Sequence, residues 1–313
     1  MALDVIRRDS FEGIAPTTPA REESERIVGL VRQLSEAYQP EPVAVNPPSA
    51  PAPASLPPSP AAPPPVLAPA LSIKSAAVVE AQALLEAFEW AKVRDLLLPF
   101  AAASDARARV GLAEACLHLC EEALSGKDAA TAKERAQESL AHATAAVELD
   151  PASAPARVWF GQAVQTKAKV LDGGMGQARV CGTMVQSWDV AVELAPDDPL
   201  AYHLIGSFAF HTSALPWAAA AAMRRLATGL RKLSADDALR YLEQSEERVP
   251  AARPPAYSLT NKSMLGRLHL AKGQKAEARA WLEKAIAMED AGGRLDDAAR
   301  EAAADARKAL KKC

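Results

Sequence analysis

The chain has 313 residues, of which 49% are hydrophobic but only 5% aromatic, and its formal net charge is −3. That balance excludes a generally basic nucleic-acid binder, and the dominance of alanine over aromatic residues points to closely packed helices rather than sheets. The charge is uneven: residues 200–313 hold 19 Lys/Arg against 13 Asp/Glu, whereas residues 1–199 hold 17 against 26.

The first residues lack the apolar core of a signal peptide, and Asp4, Asp9 and Glu12 disfavour a transit peptide, so a cytoplasmic protein is expected. Residues 1–39 read as an N-terminal arm. Within it Ile27, Leu30, Val31 and Leu34 recur at helical spacing and predict a short amphipathic helix over 20–38. Residues 40–71 are of different material. Thirteen of residues 40–69 are proline, most of the others are Ala, Ser or Val, and such a segment is expected to be a disordered, semi-rigid spacer. No apolar run reaches the length that spans a bilayer, so no membrane-spanning segment is expected.

From residue 72 to 313 helix follows helix, with breaks expected at Pro99, Ser125-Gly126, Asp150-Pro151, Gly173-Gly174, Pro196, Leu215-Pro216, Pro250 to Pro255, Gly273 and Gly292-Gly293. The pattern repeats. Gly266 is followed by Ala278, Leu282 and Ala285, the small and apolar positions at which two antiparallel tetratricopeptide helices pack. Ala146, Ala191 and Ser245 each precede a proline (Pro151, Pro196, Pro250) by five residues, and Gly161 and Gly206 each follow a proline by ten. The expected fold is therefore all-α: a tetratricopeptide-like helical solenoid over 72–313. Two repeats are stretched by inserts, around Lys167–Arg179 and Leu215–Leu233. A C-terminal capping helix over 295–310 is expected to turn Leu295, Ala298, Ala299, Ala302, Ala303 and Ala306 inward.

Residues 75–310 resemble the regulator of microtubule dynamics family. The stretches that carry the resemblance are Ala201-Tyr202-His203-Leu204-Ile205-Gly206, Leu215-Pro216-Trp217 with Arg224-Arg225, Ala238-Leu239-Arg240-Tyr241-Leu242, and the segment from Tyr257 to Ile286 with Asn261-Lys262 and Trp281-Leu282-Glu283-Lys284-Ala285. The proline-bearing link usual in the family after the second insert is replaced by Leu230-Arg231-Lys232-Leu233. The resemblance implies a non-enzymatic binding and scaffolding protein, cytosolic or on an organelle surface, associated with microtubules and spindle poles. It also implies an alternative, a lipid-binding or lipid-transfer module at membrane contact sites. A basic C-terminal half suits acidic tubulin tails.

A solenoid of helix pairs forms a concave groove lined by its first helices. In this register the groove positions are Val158, Gln162, Gln165 and Thr166, then His203, Ser207, Phe210 and His211, then Ser263, Arg267, Leu270 and Ala271. Gln162, Gln165, His203, Ser207, Phe210, His211 and Arg267 are the candidate contacts for a protein segment or a phospholipid, and packing by the inserts is the competing reading. The Lys and Asn positions with which chaperone-binding repeats hold a carboxylate read Val158 and Gln162, His203 and Ser207, Ser263 and Arg267, so no such clamp is expected. No cofactor, metal or catalytic motif is expected either. The five histidines are scattered, Gly173-Gly174-Met175-Gly176 reads as a loop inside the first insert, and Cys116, Cys120 and Cys181 read as reduced core thiols.

Overall fold

The computed structural model describes residues 70–101, 105–291 and 295–313. In chain order the helices are α1 (Ala70–Glu86), α2 (Trp90–Ala101), α3 (Ala106–Ser125), α4 (Ala129–Leu149), α5 (Ala154–Lys167), α6 (Gly173–Leu194), α7 (Pro199–Ser213), α8 (Trp217–Leu226), α9 (Ala235–Arg248), α10 (Ala256–Ala271), α11 (Lys275–Asp290) and α12 (Asp297–Leu310), with a π-helical turn, Ala168–Asp172, between α5 and α6. Among the described residues every regular element is helical, as composition and periodicity imply. The expected N-terminal helix, residues 40–69 of the proline-rich spacer and the break at Gly292-Gly293 lie outside the described residues, while Ala70 and Leu71, expected to end the spacer, open α1.

Short polar side chains start these helices by accepting from orphan backbone amides. Asp105 accepts from Arg107 N and Ala108 N, Asp128 from Thr131 N, Ser153 from Ala156 N, Asp198 from Leu200 N and Asp296 from Ala299 N. Ser234 and Asp237 form a reciprocal capping box at the start of α9. Most of the expected breaks coincide with helix ends, but Pro99 does not end α2, which runs on to Ala101. The carbonyl that the proline leaves without a partner belongs to Asp95, whose side chain is 80% exposed, so water can satisfy it. Leu97 and Ala101 are meanwhile held in the core.

The helices pair as antiparallel hairpins, α3 with α4, α5 with α6, α7 with α9, and α10 with α11. Successive hairpins stack through α4 on α5, α6 on α7 and α9 on α10, and α12 lies against α10 and α11, where the first helix of a further pair would stack. This is an all-α solenoid with a capping helix. Each pair closes over a small residue. A Cβ on Gly206 would lie 2.8 Å from Leu242 Cγ, and one on Gly266 2.5 Å from Leu282 Cγ, so only glycine admits these leucines. Serine hydroxyls tie neighbouring helices at the same level. Ser139 Oγ donates to Ala113 O (2.7 Å), Ser187 Oγ to Arg157 O (2.7 Å), Ser245 Oγ to Pro199 O (2.9 Å) and Ser263 Oγ to Ala302 O (2.8 Å). Each bond removes the cost of a buried, unsatisfied hydroxyl.

The two inserts do different things. The first lengthens its hairpin at the tip, and Val170 and Leu171 pack on Cys120, Ala132 and Ala136 of the preceding pair. Its glycines open α6 rather than forming a loop. Gly173 stands at φ +66, the conformation that turns the chain from the π-helical turn into α6, while Gly174 and Gly176 are already helical. The second insert forms α8, which has no buried residue and leaves Trp217 83% exposed. After α8, Arg231 returns to the core surface with a forked pair onto Asp189 (2.9 and 2.7 Å) and a bond to Tyr241 Oη (3.0 Å). In α12 the buried face is Ala299, Ala302, Ala303, Ala306 and Ala309. Ala298, expected to face in, is exposed because it falls at the edge of the face that Ala299, Ala302, Ala303 and Ala306 bury.

Candidate functional site

The predicted groove strip is divided among three environments. On α5, Gln162, Gln165 and Thr166 are half-buried, whereas Val158 is 1% exposed and its carbonyl accepts from Trp188 Nε1 (3.2 Å). On α7, Ser207 and His211 are half-buried, but Phe210 is 2% exposed and packs with Leu242, Met264 and Leu268. On α10 the strip is taken up by the capping helix. Ser263 is bonded to Ala302, and Arg267 reaches Asp305 at 2.9 Å with its guanidinium 4.9 Å from the centre of the Phe210 ring. The small alanines of α12 allow this approach. The described residues do not make the strip an apolar channel, so they give no support to a phospholipid in the groove.

His203 belongs to a polar network that joins α7, α9 and α10. Asn261, fully buried, donates through Nδ2 to Ser245 Oγ and to Glu246 Oε1, both at 3.0 Å. A carboxylate can only accept, so the amide orientation follows, and Asn261 Oδ1 must be the acceptor facing His203 Nδ1 at 2.7 Å. The neutral ring therefore carries its proton on Nδ1. Glu246, with a side chain only 8% exposed, also accepts from Ser258 Oγ (2.9 Å) and from Lys262 Nζ. Tyr257 stacks on His203 with ring centres 4.7 Å apart. Burial lowers the His203 pKa against the opposing pull of Asn261, Glu246 and Asp296, and burial raises that of Tyr257. Sequence spacing does not single out Asn261 or Glu246 as site residues. Asn261 appears only within a stretch that carries the family resemblance, and nothing in spacing marks Glu246.

A second charged feature lies on α3. The His118 ring stacks on Trp90 (4.1 Å, 17°) and meets Trp159 edge-on (6.1 Å), and its Nδ1 bonds Glu121 Oε2 at 3.1 Å. Burial opposes charge on His118, yet Glu121, Glu114 and Asp296 together hold its pKa above the ordinary value. One turn earlier, burial pushes the Glu114 carboxyl up to about 7, with His118 acting in the opposite sense. A carboxyl raised in the folded state binds its proton more tightly there than in the unfolded chain. Stability therefore falls as pH rises from the ordinary carboxylate range to about 7. Glu114→Gln is expected to raise the unfolding free energy by about 1–3 kcal/mol above neutrality and to leave it nearly unchanged at about pH 4. Urea titrations at the two pH values check this, and an equal gain at both would contradict it.

The third cluster has the donor set of a metal site. Cys116, Glu138 and His142 bring ligand atoms within 4.8 Å of one another. Their surroundings oppose a cation. Arg94 donates twice to Glu138 Oε1 (3.1 and 2.9 Å), Arg135 donates to Oε2, and Arg109 Nη1 lies 3.0 Å from His142 Nδ1. A guanidinium has no acceptor, so His142 Nδ1 is the lone-pair nitrogen and Nε2, the atom toward Glu138, carries the proton. Burial pushes the Cys116 thiol up to about 12, and burial together with Arg109 lowers His142. The cluster is an arginine-held polar core. Cys120 and Cys181 are likewise buried, free and pushed up to about 11 by burial, as inert core thiols should be.

No described helix is long and apolar enough to cross a membrane. The family model described as Regulator of microtubule dynamics protein 1-3 matches residues 78–313. Regulator of microtubule dynamics protein 1 of Caenorhabditis elegans is 33% identical over 150 residues, 46% of this chain and 60% of the relative. The mouse protein of the same name is 27% identical over 202 residues, 64% of this chain and 63% of the relative, and the Bos taurus protein is 27% identical over 206 residues, 64% and 61%. The chain thus matches about three fifths of the length of these relatives. With the matched segment taking in every helix from within α1 to α12, the chain belongs to the regulator of microtubule dynamics family.

Proposed function

We propose that this chain is a non-enzymatic scaffold of tetratricopeptide-like helix pairs that associates with microtubules in the cytoplasm, spindle poles included. The observation that carries this reading is the family match over 78–313, whose relatives are named as regulators of microtubule dynamics. Charge supports it: residues 200–313 hold 19 basic against 13 acidic side chains, a surplus that attracts acidic tubulin tails at low ionic strength. Gln162, Gln165, Ser207 and His211 form the proposed contact strip for a protein segment, and His203, Phe210 and Arg267 fix its shape from beneath. Co-sedimentation tests the reading. The full chain is expected to pellet with microtubules at low salt and to be released as salt rises. Failure to pellet at low salt would sink it.

A further inference from the structure

The second insert carries chemistry that neither the core nor the groove strip uses. Its helix α8 buries no residue, and Trp217, at 83%, is the most exposed large apolar side chain among the described residues. The helix is nevertheless fixed from within. Met223 packs on the same core that Ala227, 2% exposed, enters directly after the helix. A Cβ on Gly182 would lie 1.9 Å from Thr228 O, so the chain leaving α8 runs hard against α6. Gln186 Nε2 donates to Gly229 O (3.5 Å), Gly229 turns at φ +76, and Arg231 is forked onto Asp189. Five consecutive alanines, the best helix formers, keep α8 helical without burial. The outcome is a fixed helix with a bare outer face. Trp217 and Arg224 are seven residues apart, about two turns, and so share one side of α8 with only the methyl groups of Ala220 and Ala221 between them. Arg224 is exposed and makes no hydrogen bond or ion pair with any described residue, and Arg225 stands exposed beside it. No Asp or Glu occurs between Asp198 and Asp236, so the insert carries no acid of its own to neutralise these guanidiniums. Tryptophan and arginine are the side chains that most often anchor protein interfaces, the indole by its apolar face and the guanidinium by forked bonds to carboxylates. A bilayer surface asks instead for a broad apolar face, and α8 offers one indole among alanine methyls.

We propose that the outer face of α8 is a docking surface for an acidic protein segment, an extended glutamate-rich chain of the kind that tubulin tails supply. Arg224 takes a carboxylate, Arg225 adds a second positive charge at the flank, and an aromatic or apolar residue of the segment lies on Trp217. Spacing sets the register. Trp217 and Arg224 stand about 10 Å apart along the helix axis, the length of about three residues of extended chain, so the apolar residue and the glutamate of the segment are three apart. The partner follows from the microtubule reading, on which this assignment rests, while the contact is new: it lies on the insert and not on the groove strip.

The test uses the full chain and two dye-labelled dodecapeptides. One is built of glutamate and glycine around a single phenylalanine with a glutamate three residues away, and the other has glutamine for every glutamate. At low salt, fluorescence anisotropy is expected to show the glutamate peptide bound about ten-fold or more tighter, an advantage that fades as salt rises. Arg224→Gln/Arg225→Gln and Trp217→Ala should each weaken that binding about ten-fold. None of these side chains is buried, so circular dichroism and melting are expected to match the parent chain. Lys308→Gln/Lys311→Gln, which removes the same charge elsewhere on the surface, should change the affinity less than about two-fold. Equal binding of the two peptides, no binding of either, binding that survives the α8 substitutions, or an equal loss in Lys308→Gln/Lys311→Gln overturns the surface. Vesicles of phosphatidylcholine and phosphatidylserine that bind the parent chain more tightly than the glutamate peptide does, and lose it with Trp217→Ala, overturn the protein partner in favour of a membrane. Microtubules stripped of their acidic tails by subtilisin keep the two readings apart. Weaker pelleting on stripped than on intact microtubules, with Arg224→Gln/Arg225→Gln weak on both, supports the α8 contact. Pelleting that neither stripping nor the α8 substitutions change overturns it while the microtubule reading survives. No pelleting by the parent chain sinks the microtubule reading, and the peptides then test the α8 surface alone.

Discussion

Trp188→Ala is expected to lower the unfolding free energy by about 3–5 kcal/mol, the range for deleting a large buried aromatic side chain. The indole is 2% exposed and lies in the core formed by Val158, Met184, Val185, Ile205 and Phe208, so its removal opens a cavity between two adjacent hairpins. The cost has a second part. Trp188 Nε1 donates to Val158 O at 3.2 Å, and alanine leaves that carbonyl buried without this donor. The fit can be tested from the other side as well. A Cβ on Gly161 would stand 2.4 Å from Nε1 and 2.8 Å from Cδ1 of the indole, so Gly161→Ala must push the ring off its hydrogen bond. It is expected to cost about 1–3 kcal/mol as overpacking. Urea unfolding followed by tryptophan fluorescence and circular dichroism measures both, and a loss under about 1 kcal/mol for Trp188→Ala would mean that the two hairpins do not depend on this contact.

Glu246→Ala should be comparably damaging, at about 3–5 kcal/mol, through charge rather than volume. The carboxylate receives Asn261 Nδ2, Ser258 Oγ and Lys262 Nζ, and Lys262 is only 16% exposed. Alanine strands that ammonium and one amide proton of Asn261, and the disturbance passes through Asn261 to His203 on α7. Lys262→Met in the Glu246→Ala background should recover part of the loss, because the uncompensated charge is then gone. A double mutant less stable than Glu246→Ala alone would contradict that account.

Much of the fold was legible in the sequence because it rests on local spacing. The offset from Gly266 to Ala278, Leu282 and Ala285, and the prolines five residues past Ala146, Ala191 and Ser245, mark where helices touch and stop, and the helices obey them. What escaped was decided at a distance. Pro99 reads as a stop, but burial of Leu97 and Ala101 carries α2 past it. The glycines at 173, 174 and 176 read as a loop, yet one positive φ at Gly173 is enough to redirect the chain into α6. Phe210 and Arg267 occupy groove positions in an ideal register, but Phe210 is taken into the core and Arg267 is claimed by Asp305 on α12. The bond from His203 to Asn261 joins residues 58 apart, and no periodicity announces such a pair. Glu114 escaped for a different reason: an acidic residue on a helix reads as solvated until its neighbours are known.

The capping helix has one more consequence. Stacked hairpins present the same kind of surface again and again, so an array with a bare last face invites a second molecule to add where the next hairpin would lie. Such head-to-tail addition does not close, and it grows filaments rather than dimers. Through Ala302, Ala303 and Ala306, α12 seats itself on that face, while Arg300, Glu301, Arg307 and Lys308 point outward. Its alanine side satisfies the last hairpin, and its charged side offers nothing onto which another can stack. In this respect α12 closes the apolar face of the hairpin before it and replaces it with a charged one.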